Sequence, residues 1–508
     1  VGNALYLWFL ATVTCGSPPH EQEAAVDEMI AIARAHSDGE LEIKAQWAAA
    51  HISLERLDRD GFDQAVTCIC ELAERLRQGT FRWMAAALVA TQAQLDGDLA
   101  EADRLAAEAL VIGQQADEPT AYEACGVQLT VTVTWRDDIR LLGHMYGMLG
   151  RLYPTFSMNT AWPLAQAMLE SRPDDLKPLV EALRVDDVSK DATYLVTIGM
   201  LSFVVAIDGN QARARELLAC WEPYRDLAGL PTGPAAIMYS GPLSRGLLHI
   251  ALGEHDAAIA ALEQAVVGFE RLRSPCLITW AQIELARAHL LRAHDRDRDQ
   301  ATRLLEQAED VGQRLGLTYM LRRVAEVRVD PTQPDSWGTA ATPAARRATL
   351  RVRAERAIGM LVSGQVGRWV RDRDDADIER RFGSARVQRT IFNAMARSVE
   401  ADNAGDIVGD LVFELSRVSG TAAFPEPDVW TVELRSGEGK SRQGGSANPL
   451  LVLKLGIPDF VRILGGELGA WEALVNRRMR MEGDMMVAMR MEAIFGGALE
   501  LAGPDIDQ

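Results

Sequence analysis

The sequence predicts a multidomain protein in which an all-α helical-repeat solenoid, residues 1–328, precedes an α+β domain, residues 378–508. Three observations support this fold class. A pattern of turn residues and alanines recurs along the first two-thirds of the chain. After Gly405 the spacing of apolar residues changes from about 3.6 to about 2, which is the change from helix to strand. The length of 508 residues also exceeds what one hydrophobic core usually supports.

The recurring pattern is a Gly or Asp at a turn, followed by a helix with small residues at fixed offsets. The segments GEHDAAIAALEQA (253–265) and GDLAEADRLAAEA (97–109) match in register, and 209–221 follows them. Glycine ends one helix and lets the chain reverse, while alanine lets the next helix lie close. The alanines that mark the same position in five copies are Ala65, Ala102, Ala214, Ala258 and Ala301. Such repeats are typical of a solenoid.

This pattern resembles tetratricopeptide-like repeats, and most of all the degenerate arrays that follow the ATPase module of large bacterial signalling regulators. The resemblance implies a protein partner on the concave face of the array. The chain has no recognisable ATPase module or helix-turn-helix of its own. An array that only spaces other domains is the alternative.

The charge distribution argues against nucleic acid as a partner. The net charge is −19, and an acidic surface repels phosphate backbones. One stretch, residues 343–403, differs, because it holds 13 arginines, no lysine and 8 acidic residues. We interpret it as a pair of solvated helices that also form salt bridges to an acidic body, in preference to a DNA-binding or membrane-binding patch.

Cysteine usage and hydropathy predict a cytoplasmic protein without a transmembrane segment. The six cysteines form no CxxC pair and no Cys/His cluster at zinc spacing, which favours reduced, buried thiols. The apolar segment Ala4–Cys15 is too short to span a bilayer and lacks the basic start and cleavage site of a signal peptide. We predict a buried repeat helix there. The initial Val fits an alternative start codon or a fragment of a longer chain.

The two predicted domains are joined by a linker, residues 329–343, and by connecting helices, residues 344–377. The linker is predicted from three prolines, a glycine and several polar residues. A further helix is predicted over Ile378–Glu400.

Apolar and polar residues alternate in four runs within the last hundred residues. The apolar members are Leu411, Phe413 and Leu415; Trp430, Val432 and Leu434; Leu451, Leu453 and Leu455; and Met479 and Met481. Such runs predict strands of a mostly antiparallel sheet with one dry and one wet face. Helices are predicted at Pro458–Leu464, Leu468–Asn476 and Asp484–Phe495.

Four segments of this region occur in a distinctive order. They are NPLLVLKLGIPDF (448–460), ILGGEL (463–468), WEAL (471–474) and RMRMEGD (478–484). Their order resembles the sterol-carrier-protein-2 family, and the resemblance extends from Ile378 to Gly497. It implies a five-stranded, mostly antiparallel sheet covered by helices, with an apolar tunnel that binds sterols, fatty-acyl chains or other lipids.

In such a tunnel, the wall would consist of inward strand residues and the apolar faces of the helices. The candidate lipid-binding residues are Phe413, Leu415, Trp430, Val432, Leu451, Leu453, Phe460, Ile463, Leu464, Trp471, Met479, Met481, Met485 and Met489. Flexible thioether side chains can adapt to ligands of varied shape. For each residue taken alone, a packed core is the alternative.

The sequence contains no motif for catalysis, a metal or a cofactor. The eight histidines are scattered, and GxSxG and HExxH are absent. The segment Ser436–Ser441, SGEGKS, is similar to the end of a phosphate-binding loop, but it lacks that loop's first glycine and its following helix. A β-hairpin turn is the better interpretation. We therefore predict no catalytic residue, no metal ligand and no cofactor.

These observations predict a non-catalytic protein that binds one lipid in its C-terminal domain and a protein partner on its solenoid. One alternative is a regulatory protein, part of a larger signalling ATPase, that uses the C-terminal domain as a lipid sensor. The weaker alternative is a subunit that presents a lipid substrate to a catalytic partner.

Overall fold

The chain divides into two compact units, Val1–Ala340 and Ala341–Gln508. The computed structural model describes residues 1–13, 19–138, 141–142, 145–146, 156–169, 173–231, 233–333, 335, 370–371, 373–399, 404, 407–417 and 427–495. The division falls within the predicted linker, 329–343, and most of the predicted connecting segment, 344–377, lies outside the described residues.

The first unit is mostly helical. Its described helices are α1 (Gly2–Val13), α2 (Pro19–Ala35), α3 (Gly39–Glu55), α4 (Arg59–Leu76), α5 (Gly79–Asp96), α6 (Leu99–Gln115), α7 (Thr120–Trp135), α8 (Met158–Leu169), α9 (Pro173–Ala182), α10 (Tyr194–Asp208), α11 (Gln211–Trp221), α12 (Gly241–Leu252), α13 (His255–Leu272), α14 (Pro275–Arg292), α15 (Asp297–Leu315) and α16 (Thr318–Val329). Strands β1 (Ala228–Gly229) and β2 (Tyr239–Ser240) pair antiparallel ahead of α12. Most helices pack against the next one in the chain.

The repeat pattern has a local structural cause. Gly97, Gly209 and Gly253 end their helices in the left-handed conformation, at φ of +80°, +78° and +74°. The side chains of Asp98 and Asn210 then cap the following helices by accepting a backbone N–H. All five marker alanines are buried, the most exposed at 3%. Glycine therefore reverses the chain, and alanine lets the paired helices approach closely.

Helices far apart in sequence also meet in this unit. The Thr91 hydroxyl donates to the Ala235 carbonyl at 2.8 Å. Arg322 lies 2.7 Å from Asp137, a separation of 185 residues in the chain. In an open solenoid, each repeat contacts only its neighbours. The predicted solenoid is therefore not confirmed, because α5 contacts residue Ala235 and the turn after α7 contacts α16. These contacts are made by single polar side chains that carry no periodic signal.

The second unit contains a sheet with helices. Its described elements are α17 (Asp375–Phe382), α18 (Ala385–Arg397), β3 (Gly409–Ser416), β4 (Asp428–Arg435), β5 (Glu438–Gln443), β6 (Leu451–Gly456), α19 (Ile457–Leu464), α20 (Ala470–Val475), β7 (Met479–Gly483) and α21 (Met485–Ile494). The described strands form one sheet in the order β5-β4-β3-β6-β7, in which β3 and β6 are parallel and the other neighbours antiparallel. The predicted change from a helical region to a sheet-containing domain is confirmed.

The two faces of this sheet differ less than the alternation predicts. The inner face is buried, as expected, but Val412, Thr431 and Val452 on the other face are also at most 8% exposed. Charged residues also lie on that outer face, where Lys454 on β6 is 2.7 Å from Glu482 on β7. The prediction of a wet outer face is therefore wrong at the centre of the sheet, where the outward residues are β-branched.

Candidate functional site

The inner face of the sheet is a continuous apolar surface across four strands. Phe413 on β3 lies opposite Trp430 on β4 and opposite Leu453 on β6, and Leu453 lies opposite Met481 on β7. Alternate residues of a strand point to the same face, so this row of side chains lies on one side. None of the four is more than 5% exposed.

An aromatic cluster occupies the part of this surface beneath α18. The ring of Phe392 stacks on Trp430, with centroids 5.1 Å apart, and on Phe460, at 5.3 Å. Phe413 completes the cluster at 5.2 Å from Phe392. Rings at these separations are in direct contact, so no lipid chain fits between them.

Hydrogen bonds fix the orientation of the cluster. The Trp430 indole N–H donates to the Gln388 side-chain carbonyl at 2.8 Å. Gln388 in turn donates to the Asp428 carboxylate at 2.9 Å, and Arg417 donates to the same carboxylate at 2.6 Å. Gln388 is only 1% exposed. Its amide therefore links the buried indole, through these hydrogen bonds, to a charged pair nearer the surface.

We expect Gln388→Ala to destabilise the second unit by about 1–3 kcal/mol, since the substitution leaves the buried Trp430 N–H without an acceptor. Denaturant unfolding followed by tryptophan fluorescence would measure the change. Arg389→Ala removes an exposed neighbour on the same helix and serves as the control. Equal effects of the two substitutions would contradict the assigned role of Gln388.

Aliphatic and methionine side chains form the rest of the inner surface on β3, β4, β6 and β7 and on the helices that cover it. Helices α19 and α21 pack against β6, and α20 packs against β7. The buried side chains of this part are Leu415, Val432, Leu451, Leu453, Ile463, Met479, Met481 and Met485. We call this set the leucine–methionine surface. Its three methionine side chains are unbranched and can adopt more conformations than the stacked rings of the aromatic cluster.

The structure thus divides the predicted wall residues between two environments. Phe413, Trp430 and Phe460 belong to the aromatic cluster, and Leu464 is half-buried. The side chains of Trp471 and Met489 lie outside the described part of the chain. The remaining predicted residues make up the leucine–methionine surface, for which the lipid-binding role stays a prediction.

Two residues of the site were absent from the sequence-based prediction, Gln388 and Phe392. They lie on α18 with Met395 and Ala396, at the i, i+4, i+7 and i+8 spacing of one helix face, and all four are buried. That spacing is visible in the sequence and could have predicted that Gln388 and Phe392 face the interior. The predicted single helix over 378–400 is wrong, because it is broken at Gly383 and Ser384, where the Ser384 side chain caps α18.

Arginine–carboxylate pairs connect α17 and its preceding residues to α19. Arg462 lies 2.6 Å from Asp375 and also donates to the Arg373 carbonyl at 3.1 Å. Arg371 lies 2.8 Å from Glu467. Of these residues, Arg371 and Asp375 belong to the arginine-rich stretch, and each forms a salt bridge with a residue outside it.

Asp410 on β3 is the centre of another charge cluster on the outer face of the sheet. Its carboxylate lies 2.9 Å from Arg435 and 3.4 Å from Arg442. Burial alone would raise the pKa of Asp410, but hydrogen bonds from Ser446 and Arg435 outweigh burial, and the pKa of Asp410 is lowered. Asp410 is therefore ionised in the folded protein at neutral pH, and its charge is compensated.

This shift predicts a pH-dependent contribution to stability. Because the pKa is lower in the folded than in the unfolded state, the stabilisation is present above the unfolded value of about 4 and is lost as the pH falls through the folded value. We expect the difference in unfolding free energy between the wild type and Asp410→Asn to shrink below pH ~4. Denaturant unfolding between pH 3 and 7 would test this, and a constant difference would contradict it.

Two structural observations concern phosphate binding and metal binding. Glu438–Gln443 forms β5, and Ser436 and Gly437 form a turn with φ of +51° and +78°. A hairpin turn is thus found in place of a phosphate-binding loop. Within the described ranges, no group of three or more His, Cys, Asp or Glu residues could hold a metal ion.

Comparison with known families supports the sequence resemblance for the second unit. Residues 396–496 match the model of the SCP-2 sterol transfer family. The match includes β3–β7 and α19–α21 but begins after Phe392 and Gln388. No curated protein matched the chain. No helix in the described part of the chain is long and apolar enough to cross a membrane.

Proposed function

We propose that this chain is a non-catalytic lipid-binding protein whose second unit takes up one sterol, fatty-acyl or similar apolar ligand against the leucine–methionine surface. The family match supports a lipid ligand. The single structural observation that supports the location is the division of the inner face into a cluster of stacked aromatic rings and a surface of aliphatic and methionine side chains.

Binding is driven by removal of apolar ligand surface from water. Each buried methylene group contributes about 0.8 kcal/mol before entropic costs. The ligand enters by displacing side chains of α19, α20 or α21, which cover the leucine–methionine surface. Methionine adapts to such displacement more readily than the stacked rings, because its side chain is unbranched and has three rotatable bonds.

We expect Met481→Trp to reduce lipid affinity at least tenfold, because the larger side chain fills the proposed space. Delipidated full-length protein would be titrated with the fluorescent fatty acid cis-parinaric acid. Arg480→Trp adds the same ring to the adjacent, exposed position on the opposite face and serves as the control. Circular dichroism and thermal melting would show that both variants fold.

Stoichiometric binding by the wild type and the control, but not by Met481→Trp, would support the site. Binding that is equal in all three proteins would place the ligand elsewhere. Absence of binding by the wild type, with this fatty acid and with a fluorescent sterol, would remove the lipid role.

We further propose that the first unit binds a protein partner and that the protein works in a reducing, cytoplasmic compartment. The repeat pattern supports the partner. For the compartment, burial raises the pKa of the Cys125 and Cys276 thiols to about 12, so both are unreactive at neutral pH. Crosslinking of the full-length protein in its host would test for the partner. A chain recovered without crosslinked protein would contradict it.

A further inference from the structure

Helices of the first unit pack around one irregular segment, residues 227–240 (LAGLPTGPAAIMYS). It lies between α11 and α12 and contains no charged side chain. Its ends are joined, because β1 pairs with β2 and the Gly241 N–H donates to the Leu227 carbonyl at 2.7 Å. From Ala228 to Ser240, its described residues are buried, apart from the half-buried Gly233. We call this closed loop the internal strap.

The middle of the internal strap contacts α3 and α5. A Cβ added at Gly233 would lie 3.3 Å from the Trp47 ring of α3, so the backbone of the strap runs directly over that ring. The Thr91 hydroxyl of α5 donates to the Pro234 carbonyl at 3.3 Å and to the Ala235 carbonyl at 2.8 Å. These hydrogen bonds join positions 143 and 144 residues apart in the chain, so the strap packs on helices that long precede it.

The two ends of the internal strap contact α10 and α14. A Cβ added at Gly229 of β1 would lie 2.5 Å from the Val196 backbone nitrogen of α10. Tyr239 of β2 contacts Trp280 of α14, with ring centroids 5.9 Å apart. Helices α10 and α14 contain no exposed residue, whereas α13 and α15 each expose one face. We call the side of α3, α5, α10 and α14 that the strap covers the strap-binding surface.

The internal strap fills this surface incompletely. An apolar cavity of about 40 Å³ remains between the strap and α7, α8 and α10. That is room for about three water molecules, and protein interiors contain few voids of this size. On the side of the strap, Ala236, Ile237 and Met238 line the cavity, and Val131 and Val196 line it on the helices. A segment with larger side chains would therefore contact the same helices more completely than the strap does.

We propose that the internal strap is a pseudo-ligand, which in the free protein occupies the surface where the helical unit binds its protein partner. This rests on the partner proposed above. The strap then defines the part of the partner that binds: an extended, uncharged segment of small and apolar residues. No Asp, Glu, Lys or Arg is among the described residues that line the cavity, so a charged side chain would lose its hydration there without gaining a counter-ion.

The internal strap competes with the partner because both contact the same helices. As part of the chain, the strap is present at an effective concentration on the order of mM. A partner segment that only reproduces the contacts of the strap therefore binds weakly. A segment that also fills the cavity binds more tightly, so the strap selects for partners that fit better than it does.

Thiol labelling of the full-length protein tests whether the internal strap leaves the helices. Ala236→Cys places a thiol on the strap next to the cavity, at a fully buried position. The native thiols of Cys125 on α7 and Cys276 on α14 are buried and serve as internal controls. We expect maleimide to label position 236 at least tenfold faster than either control, as measured by mass spectrometry of the peptides. Equal rates would overturn the proposal, because the strap would then open only when the helices unfold.

A peptide with the sequence of residues 227–240 and a fluorescent label tests whether the strap-binding surface accepts a segment from outside. In Gly229→Ala the new methyl group meets the backbone of α10, which cannot rotate away, so the strap is loosened. In the control, Gly39→Ala, the methyl group meets only the side-chain ends of Arg75 and Leu76, at 3.3 Å. We expect Gly229→Ala to bind the peptide at least tenfold more tightly than the wild type and the control, by fluorescence anisotropy.

Equal peptide affinities in all three proteins would overturn the proposal, as would equal binding of a peptide in which the isoleucine of position 237 is replaced by aspartate. Circular dichroism would show whether Gly229→Ala folds. If it does not fold, the labelling rate at position 236 decides.

Crosslinking in the host separates this proposal from the existence of a partner. Gly229→Ala should yield more crosslinked partner than Gly39→Ala. A partner recovered equally with both variants would bind another surface, which would overturn the pseudo-ligand and leave the partner. A chain recovered without any partner would contradict the proposed function of the first unit, and the pseudo-ligand would fail with it.

Discussion

Replacing Arg323 with methionine is expected to destabilise the helical unit by about 3–5 kcal/mol. Arg323 is 1% exposed and its guanidinium lies 2.9 Å from Glu284, which is 2% exposed, and 3.7 Å from Asp335. Removing one partner of a buried pair leaves the other charge without compensation, and this is the costly change. The thermal midpoint should fall by roughly 5–15 °C, measured by far-ultraviolet circular dichroism.

A double variant separates the buried charge from the lost packing. In Glu284→Met/Arg323→Met both charges are replaced by apolar side chains of similar size, so we expect most of the stability to return. Arg287, which also pairs with Glu284, keeps its hydrogen bond to the Pro331 carbonyl. A double variant as unstable as Arg323→Met would show that Arg323 acts through packing and not through charge.

The ion pairs around Arg323 also include a residue of the segment that the sequence predicts as a linker. Asp335 lies in the predicted linker, yet it is 6% exposed and accepts a hydrogen bond from the Tyr319 hydroxyl at 2.6 Å. Prolines and polar residues predict an exposed linker. They do not reveal that one carboxylate of the segment is buried against arginines of α16, because that contact depends on tertiary structure.

In the second unit, strands β3, β4, β6 and β7 could be predicted because each alternates apolar and polar residues, whereas β5 is polar throughout. Phe413, Trp430 and Leu453 follow this period and share the inner face. The order of strands did not follow from the pattern. Strand β3 pairs with β6 in parallel, and the β4–β5 hairpin lies on the other side of β3. Local periodicity contains no information on such long-range pairing.

The candidate site was predicted in part, for a related reason. Alternation identifies which strand residues face inward, but it does not show what lies above them. Phe392 is in a helix that precedes the sheet, and its contacts with Trp430 and Phe460 bring together three separate segments of the chain. The residue pattern therefore predicts that the aromatic residues are buried. Only the structure shows that they contact one another and fill the part of the interior beneath α18.

Phe392→Ala is the corresponding test in the second unit, with an expected destabilisation of about 3–5 kcal/mol. The substitution removes a fully buried ring that contacts Phe413, Trp430 and Phe460, and the rigid sheet beneath it cannot collapse into the space. Ile391→Ala, at the adjacent half-buried position, is the control and should have a smaller effect. Denaturant unfolding of both variants would measure the two changes in stability.

The same variant distinguishes a structural from a ligand-binding role of the aromatic cluster. Below its unfolding temperature, Phe392→Ala should still bind cis-parinaric acid with at most a few-fold change in affinity, because the proposed ligand contacts the leucine–methionine surface. A variant that is folded but has lost binding would show that the ligand lies against the cluster. Tighter binding would show that the ligand extends into the space that the ring leaves, so the two parts of the inner face would form one continuous cavity.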